Sequence, residues 1–253
     1  MKSIFYSLAF IGLLLTSCSK KTEDTPVPYQ INTENKAIHF DETHQFIITQ
    51  GGVEIHGKDV TWVLSDDRVA TIDANGLLRG KKLGTITLAA SIKGKFGLKS
   101  TVTIIPYSTL CKEPFFEEGA STATTKSREF RTLASETVTS LFFLGENAKL
   151  RNAAYIFKDG KMTSGALLFA NNQAVVDEAQ KFYDERYTRL GTENNVYFYG
   201  DGGSLVIGIS IDANIGFNAI YLKGDGKTLS VTGQTVLQFN TIKANLLKQK
   251  DIL

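Results

Sequence analysis

Hydrophobic and polar residues alternate in three short segments in the N-terminal half of the chain, at residues 60–64, 86–88 and 102–104. This period of two is typical of strands that bury one face. The tetrapeptide Asp73 to Gly76 (DANG) lies between two such segments and contains an Asn-Gly pair that tolerates the positive φ of a tight hairpin. Short strands, glycine turns and the absence of a helical period predict an all-β sandwich over residues 36–106.

The pattern changes after Pro106. Two helices are predicted, one capped by Ser121 and running to about Arg131, and one over residues 175–187 with Gly191 beyond it. Hydrophobic segments that predict strands follow each helix: TVTSLFFLG, NAAYIF and KMTSGALLFA after the first, then NVYFYG, SLVIGISID and IGFNAIYL. The stretch TGQTVLQFNTIKANLLKQ predicts either a closing helix or a strand followed by a helix. Residues 107–253 are therefore predicted to form an α+β domain with helices packed on antiparallel sheet, and element order suggests a possible tandem of helix plus three-strand units.

The N-terminus carries an apolar run from Ile4 to Leu15 after Lys2, which is shorter than the roughly 20 residues of a membrane span. The residues that follow, Leu15-Thr16-Ser17-Cys18, resemble the lipobox of bacterial lipoproteins. This resemblance implies a signal peptide at residues 1–17, acylation of Cys18 and a partner membrane reached through the lipid anchor. An ordinary signal peptide or a buried N-terminal helix is the alternative.

The residues after Cys18 bear on location. Ser19 is not the aspartate that marks inner-membrane retention in enterobacterial lipoproteins, so the resemblance favours the outer membrane. The charged residues at positions 20–24 resemble the export tag of Bacteroidetes surface lipoproteins, which favours display at the cell surface. Residues 18–35 are polar and contain two prolines, a composition typical of a flexible tether.

Charge and cysteine content exclude two classes of protein. The net charge of +2 is far from that of a nucleic-acid-binding domain. Only two cysteines are present, and acylation of Cys18 would leave Cys111 without a partner, so buried cores rather than a disulfide must stabilise the fold. Cys111 is interpreted as a small buried or loop thiol, not as a nucleophile.

The segment VTWVLSDDRVATIDANGLLRGKKLGTITLAAS, continued by KSTVTII, resembles the bacterial immunoglobulin-like domain of group 2, the module repeated in intimin and invasin-type surface proteins. The resemblance implies a spacer or adhesive module without a catalytic site. Trp62, the only tryptophan, is interpreted as part of the sandwich core rather than as a ligand platform.

The histidines and acidic residues do not form a recognisable catalytic or metal-binding pattern. The spacings between the three histidines, His39, His44 and His56, match no zinc-finger or metalloprotease pattern. Residues 107–253 contain no histidine that could act as the general base for a serine or cysteine nucleophile. The adjacent acids Glu117-Glu118 and Asp184-Glu185 point to different faces, so neither pair matches the facing carboxylates of a glycosidase. We expect no enzyme activity, no cofactor and no metal.

Two tyrosines are the candidate ligand platform. Tyr197 and Tyr199 should share one face of a strand, with Phe198 on the other. If exposed they could stack on sugar rings, and if buried they serve sheet packing.

Three functions follow. The first is a non-enzymatic, lipid-anchored envelope protein whose immunoglobulin-like spacer presents a C-terminal domain that binds an unknown protein or glycan. The second is a periplasm-facing assembly or inhibitor protein, because the element order resembles that of the β-lactamase-inhibitor protein and of small outer-membrane assembly lipoproteins. The segment EPFFEEGAS also resembles the opening of uncharacterised Bacteroidetes lipoprotein domains. The third is an acid-dependent glycan hydrolase.

Overall fold

The structure is a computed structural model that describes residues 27–56, 59–224 and 231–248. The predicted signal peptide at residues 1–17 and Cys18 lie outside the described residues.

The N-terminal region folds into short β-strands: β1 Tyr29–Ile31, β2 Asn35–His39, β3 Thr43–Gln45, β4 Ile48–Gln50, β5 Val53–Ile55, β6 Val60–Leu64, β7 Ala70–Ile72, β8 Leu77–Gly80, β9 Gly84–Ile92 and β10 Lys95–Ile105. They form a four-stranded sheet in the order β2-β10-β9-β6 and two three-stranded sheets, β3-β8-β7 and β1-β4-β5. All three alternating segments are strands, as predicted.

The sandwich begins earlier than the predicted limit of residue 36. Strand β1 pairs antiparallel with β4, with Tyr29 opposite Gln50 and Ile31 opposite Ile48. Residues 29–31 therefore belong to the sandwich rather than to the tether assigned to residues 18–35. Composition failed to indicate this strand because three residues are too few to show an alternating pattern.

Trp62 lies between two hydrophobic clusters of the sandwich. Its half-buried ring packs against the cluster around Leu78 and Leu88 and against the cluster around Ile48 and Ala90. Gly76 in the DANG turn has φ +86°, and a Cβ there would lie 2.9 Å from the indole ring. The interpretation of Trp62 as a core residue is therefore correct, although part of the ring reaches solvent.

The C-terminal region contains three helices, α1 Thr122–Arg128, α2 Gln173–Arg186 and α3 Gly233–Leu247. Its strands are β11 Leu133–Glu136, β12 Ser140–Asn147, β13 Leu150–Lys158, β14 Lys161–Phe169, β15 Thr188–Glu193, β16 Val196–Gly200, β17 Leu205–Asp212 and β18 Gly216–Lys223. They form one antiparallel sheet in the order β11-β12-β13-β14-β18-β17-β16-β15.

The predicted tandem of three-strand units needs correction. Helices α1 and α2 are each followed by four strands, not three. The edge strands β11 and β15 were not predicted, because their residues are mostly exposed and lack an apolar face. The two units also do not form separate sheets. Strand β14 pairs with β18, from Gly165 opposite Tyr221 to Leu168 opposite Asn218, and this pairing joins them into a single sheet.

Alternate residues of this sheet enter two cores. One face, with Tyr155 and Ile207, packs against Phe182 and other residues of α2. The opposite face, with Phe142 and Ile220, packs against α3, which closes the fold as a helix and not as a strand.

Asn172 caps α2 by accepting a hydrogen bond from the amide of Val175, and Thr232 caps α3 in the same way. Ser121 caps α1 as predicted, but this helix ends at Arg128 rather than at Arg131. The Arg131 side chain is instead buried against Glu129, with Nη1 and Oε1 3.0 Å apart.

Candidate functional site

A pocket of about 460 Å³ lies on the α2 side of the sheet, between the helix and strands β16, β17 and β18. We call it the tyrosine pocket. Its lining residues are Gln173, Val176, Asp177, Gln180, Arg189, Asn195, Tyr197, Tyr199, Ile209, Ser210, Ile211 and Phe217. The pocket therefore combines an apolar and aromatic floor with a polar wall, a composition typical of small-ligand sites.

Tyr197 presents its ring to solvent at this pocket, with 46% of the residue exposed. The guanidinium carbon of Arg189 lies 4.7 Å from the centroid of the ring, which is within the range of a cation–π interaction. This contact restrains the ring, and the remaining exposed surface of Tyr197 is open to a ligand.

Tyr199 shares this face of β16, as predicted, but it is buried, with only 2% of the residue exposed. Its hydroxyl donates to Asp184 Oδ1 at 3.0 Å, and its ring centroid lies 5.9 Å from that of Tyr183. Burial, followed by the nearby carboxylate of Asp184, raises the pKa of Tyr199. The predicted platform of two rings is therefore wrong for Tyr199, which α2 covers. Of the two tyrosines, only Tyr197 can stack on a ligand.

The wall of the pocket is one stripe of α2. Gln173, Asp177 and Gln180 are spaced by four and three residues, so they lie on the same side of the helix. Gln173 Nε2 donates to Asp177 Oδ1 at 2.7 Å, which orients the carboxylate. Amide and carboxylate groups beside an aromatic ring can donate to and accept from several hydroxyl groups of one ligand.

This polar wall and Arg189 were not predicted from the sequence. The three α2 residues form a polar stripe with helical spacing, and that spacing was visible in the sequence. Nothing in the sequence indicates that this stripe borders Tyr197, because the two lie on separate elements and meet only when α2 packs on the sheet.

A second depression, of about 1000 Å³, lies beside α3 on the opposite face. It includes the exposed side chains of Val138 and Leu237, and many of its other lining residues are threonine, glutamine or asparagine. It has no exposed aromatic ring, so we regard the tyrosine pocket as the better candidate.

A third depression contains the acids that a hydrolase would need, including Glu113 and Glu118. Burial raises the pKa of Glu113, whose carboxylate accepts a hydrogen bond from the hydroxyl of Tyr187 and lies 3.3 Å from Arg186 Nε. Glu118 pairs with Lys223 at 2.6 Å. Both carboxylates therefore already have partners within the fold.

The three histidines have different neighbours. His39 stacks on Tyr107 with 4.4 Å between ring centroids, His44 contacts Phe46 edge to face, and His56 lies 3.0 Å from a carboxylate oxygen of Glu54. Within the described residues, no group of three or more metal-ligating side chains is arranged to hold an ion. Burial raises the pKa of Cys111 to about 12.

Comparison with protein families identifies the N-terminal region. Residues 29–102 match the family described as "Bacterial Ig-like domain (group 2)". The N-terminal sandwich is an Ig-like domain. The match begins at the first residue of β1, which agrees with the inclusion of this strand in the Ig-like domain. No curated protein matches the chain.

Solved structures with some likeness to the chain include two of the surface layer protein SbsC. Its domains 4-9 are 12% identical with a TM-score of 0.27, and the match covers 80% of this chain and 28% of that one. Its domains 5-6 are 11% identical with a TM-score of 0.27, covering 80% of this chain and 87% of that one. These TM-scores are too low to support an argument about fold or function. Over the described ranges, no helix has the length and apolar character needed to cross a membrane.

Proposed function

We propose that this protein is a non-enzymatic component of the cell envelope, anchored through acylated Cys18 in the outer membrane, whose C-terminal domain binds a glycan in the tyrosine pocket. The Ig-like domain supports a cell-surface or envelope role. The lipobox-like residues 15–18 support the lipid anchor.

The observation that carries the binding proposal is the exposed ring of Tyr197 beside the α2 wall. The apolar face of a sugar ring can pack on an aromatic ring, while its hydroxyl groups need hydrogen-bond partners. Gln180 and Asp177 line the same pocket and supply an amide and a carboxylate, and the Arg189 guanidinium lies over the ring. This arrangement fits a neutral or mildly polar sugar better than an apolar ligand.

The test uses the chain from residue 19 onwards, which keeps every described residue. Screening on a glycan array should identify bound sugars, and titration calorimetry should measure their affinity. Tyr197→Ala should weaken binding roughly two- to tenfold, since stacking on an aromatic ring contributes about 0.5–1.5 kcal/mol. Phe130→Ala is the matched control, because Phe130 is also an exposed ring with a basic side chain over it but lies outside the pocket.

Equal affinities of Tyr197→Ala and the unsubstituted chain would refute the glycan site. A protein ligand is the second candidate, and it is favoured by Ile211, which is 62% exposed at the same pocket. Ile211→Ser should then weaken capture of an envelope protein, because it removes the exposed apolar side chain.

The anchor is tested separately in cells. Cys18→Ser should leave an uncleaved precursor that no longer incorporates palmitate, because the thiol that accepts the lipid is gone. Normal maturation and membrane retention of this variant would contradict the anchor.

A further inference from the structure

The C-terminal end of α2 is completed by the Ig-like domain. The last carbonyl groups of a helix have no partner within the helix and require one from outside. At the end of α2, Lys82 Nζ donates to the carbonyl oxygens of Asp184 and Tyr187, each at 2.6 Å. The amide of Leu83 donates to the carbonyl oxygen of Glu185 at 3.0 Å.

These contacts join distant parts of the chain. Lys82 lies in the loop between β8 and β9 of the Ig-like domain, 102 residues before Asp184. The ammonium group also places a positive charge at the negative end of the helix dipole. Desolvation by burial lowers the pKa of Lys82, as expected for an ammonium group that is held against the protein.

Glu185 fixes the linker between the domains at the same place. Its side chain is buried, with 1% exposed, and its Oε1 accepts from the amides of Tyr107 at 2.9 Å and Ser108 at 3.2 Å. Arg186 lies 3.3 Å from Oε2 of the same carboxylate. Loop, linker and helix end therefore form one connected hydrogen-bonded junction.

The junction reaches the tyrosine pocket through Asp184. The carbonyl oxygen of this residue accepts from Lys82, and its carboxylate accepts from the hydroxyl of Tyr199, which lines the pocket. The same helix provides Gln173, Asp177 and Gln180 as the wall. Displacing the end of α2 would therefore change both the wall and the floor.

We propose that Lys82 is a positioning residue for the tyrosine pocket, so that the Ig-like domain acts as part of the binding unit and not only as a spacer. Docking of the Ig-like domain and ligand binding are then coupled, because each is favoured by the same placement of α2. The ligand part of this inference rests on the proposed glycan site, whereas the positioning part does not.

The test compares Lys82→Met with Lys81→Met in the chain from residue 19. Methionine keeps an apolar side chain of similar length and removes the ammonium group. Lys81 is the matched control, because its Nζ donates to the carbonyl oxygen of Asp67 within the Ig-like domain. Lys82→Arg keeps a positive charge at this position, so this variant should give the same results as the unsubstituted chain.

Two readouts need no ligand. In Lys82→Met, hydrogen exchange of the amides at residues 183–187 should accelerate about tenfold, and the NMR signals of the Tyr199 and Tyr197 rings should shift. Lys81→Met should change neither. Unchanged exchange or unchanged tyrosine signals in Lys82→Met would overturn the positioning role.

The third readout is the affinity for the tightest glycan found on the array, which should fall about tenfold in Lys82→Met. Faster exchange with an unchanged affinity would overturn the coupling. If no glycan binds the unsubstituted chain, the proposed glycan site fails, while exchange and tyrosine signals still decide whether Lys82 positions the pocket.

Discussion

The packing of α3 on the sheet makes Gly208 a sensitive position. A methyl group added there would lie 2.5 Å from Phe239 Cε2, closer still to Cδ2, and 3.2 Å from Phe198 Cε1. Phe239 is fully buried and is held by α3, so its ring cannot move away without displacing the helix. We therefore expect Gly208→Ala to force α3 away from strand β17.

The expected magnitude follows from two opposing effects. Overpacking a well-packed core costs about 1–3 kcal/mol. Replacing glycine by alanine also restricts the unfolded chain, which stabilises the fold by about 0.4–1 kcal/mol where the site can accept a methyl group. The net change in the free energy of unfolding should therefore be a loss of roughly 1–2 kcal/mol.

Urea denaturation monitored by circular dichroism measures this change. Gly165→Ala is the control, because it lies in the same sheet and its methyl group would meet Tyr155 at 3.6 Å, an ordinary contact distance. That variant should be neutral or slightly stabilised. Phe239→Leu should recover part of the loss when combined with Gly208→Ala, since the smaller side chain leaves room for the methyl group. Equal stabilities of Gly208→Ala and Gly165→Ala would refute the reasoning.

Three further predictions concern other sites. Trp62→Ala should destabilise the Ig-like domain by about 3 kcal/mol, because the ring joins two hydrophobic clusters, and an unchanged melting temperature would contradict this. In the chain from residue 19, Cys111 should react with a disulfide reagent at pH 8 far more slowly when folded than in denaturant, because burial raises its pKa to about 12; rapid labelling of the folded chain would contradict it. Asp66 should titrate with a pKa of about 2 by carboxyl NMR, because its side chain accepts hydrogen bonds from Arg68, and Arg68→Ala should return the pKa towards 3.8. Because the pKa of Asp66 is lowered on folding, its contribution to stability is present above pH 3.8 and is lost as the pH falls through about 2. If the pKa of Asp66 stays the same in Arg68→Ala, Arg68 is not the cause of the shift.

The sequence by itself determined most of the local structure. The period of two predicted β6, β9 and β10, a capping residue predicted the start of α1, and helical spacing predicted α2 to within two residues at each end. These predictions succeed because strand and helix patterns depend on residues that are close together in the sequence. The family resemblance also located the Ig-like domain, which the match at residues 29–102 confirms.

Tertiary structure decided how these elements combine. The edge strands β11 and β15 carry little apolar pattern, so only pairing with a neighbouring strand defines them. The pairing of β14 with β18 converts two predicted units into one sheet, and no local signal specifies a contact between residues 50 or more positions apart. The burial of Tyr199 likewise depends on where α2 lies, although Tyr197 and Tyr199 have the same chemistry and the same strand face.

The end of α2 shows the physical reason most directly. Gly191 suggested a glycine stop just beyond the helix, but this residue lies within β15, and the terminal carbonyl groups accept from Lys82 and Leu83 instead. A helix requires only that these groups be satisfied, and any donor that folding brings within reach can do so. The sequence shows that the end of the helix needs hydrogen-bond donors. Which donors satisfy it, here those of a loop about 100 residues earlier in the chain, is determined by the packing of the two domains.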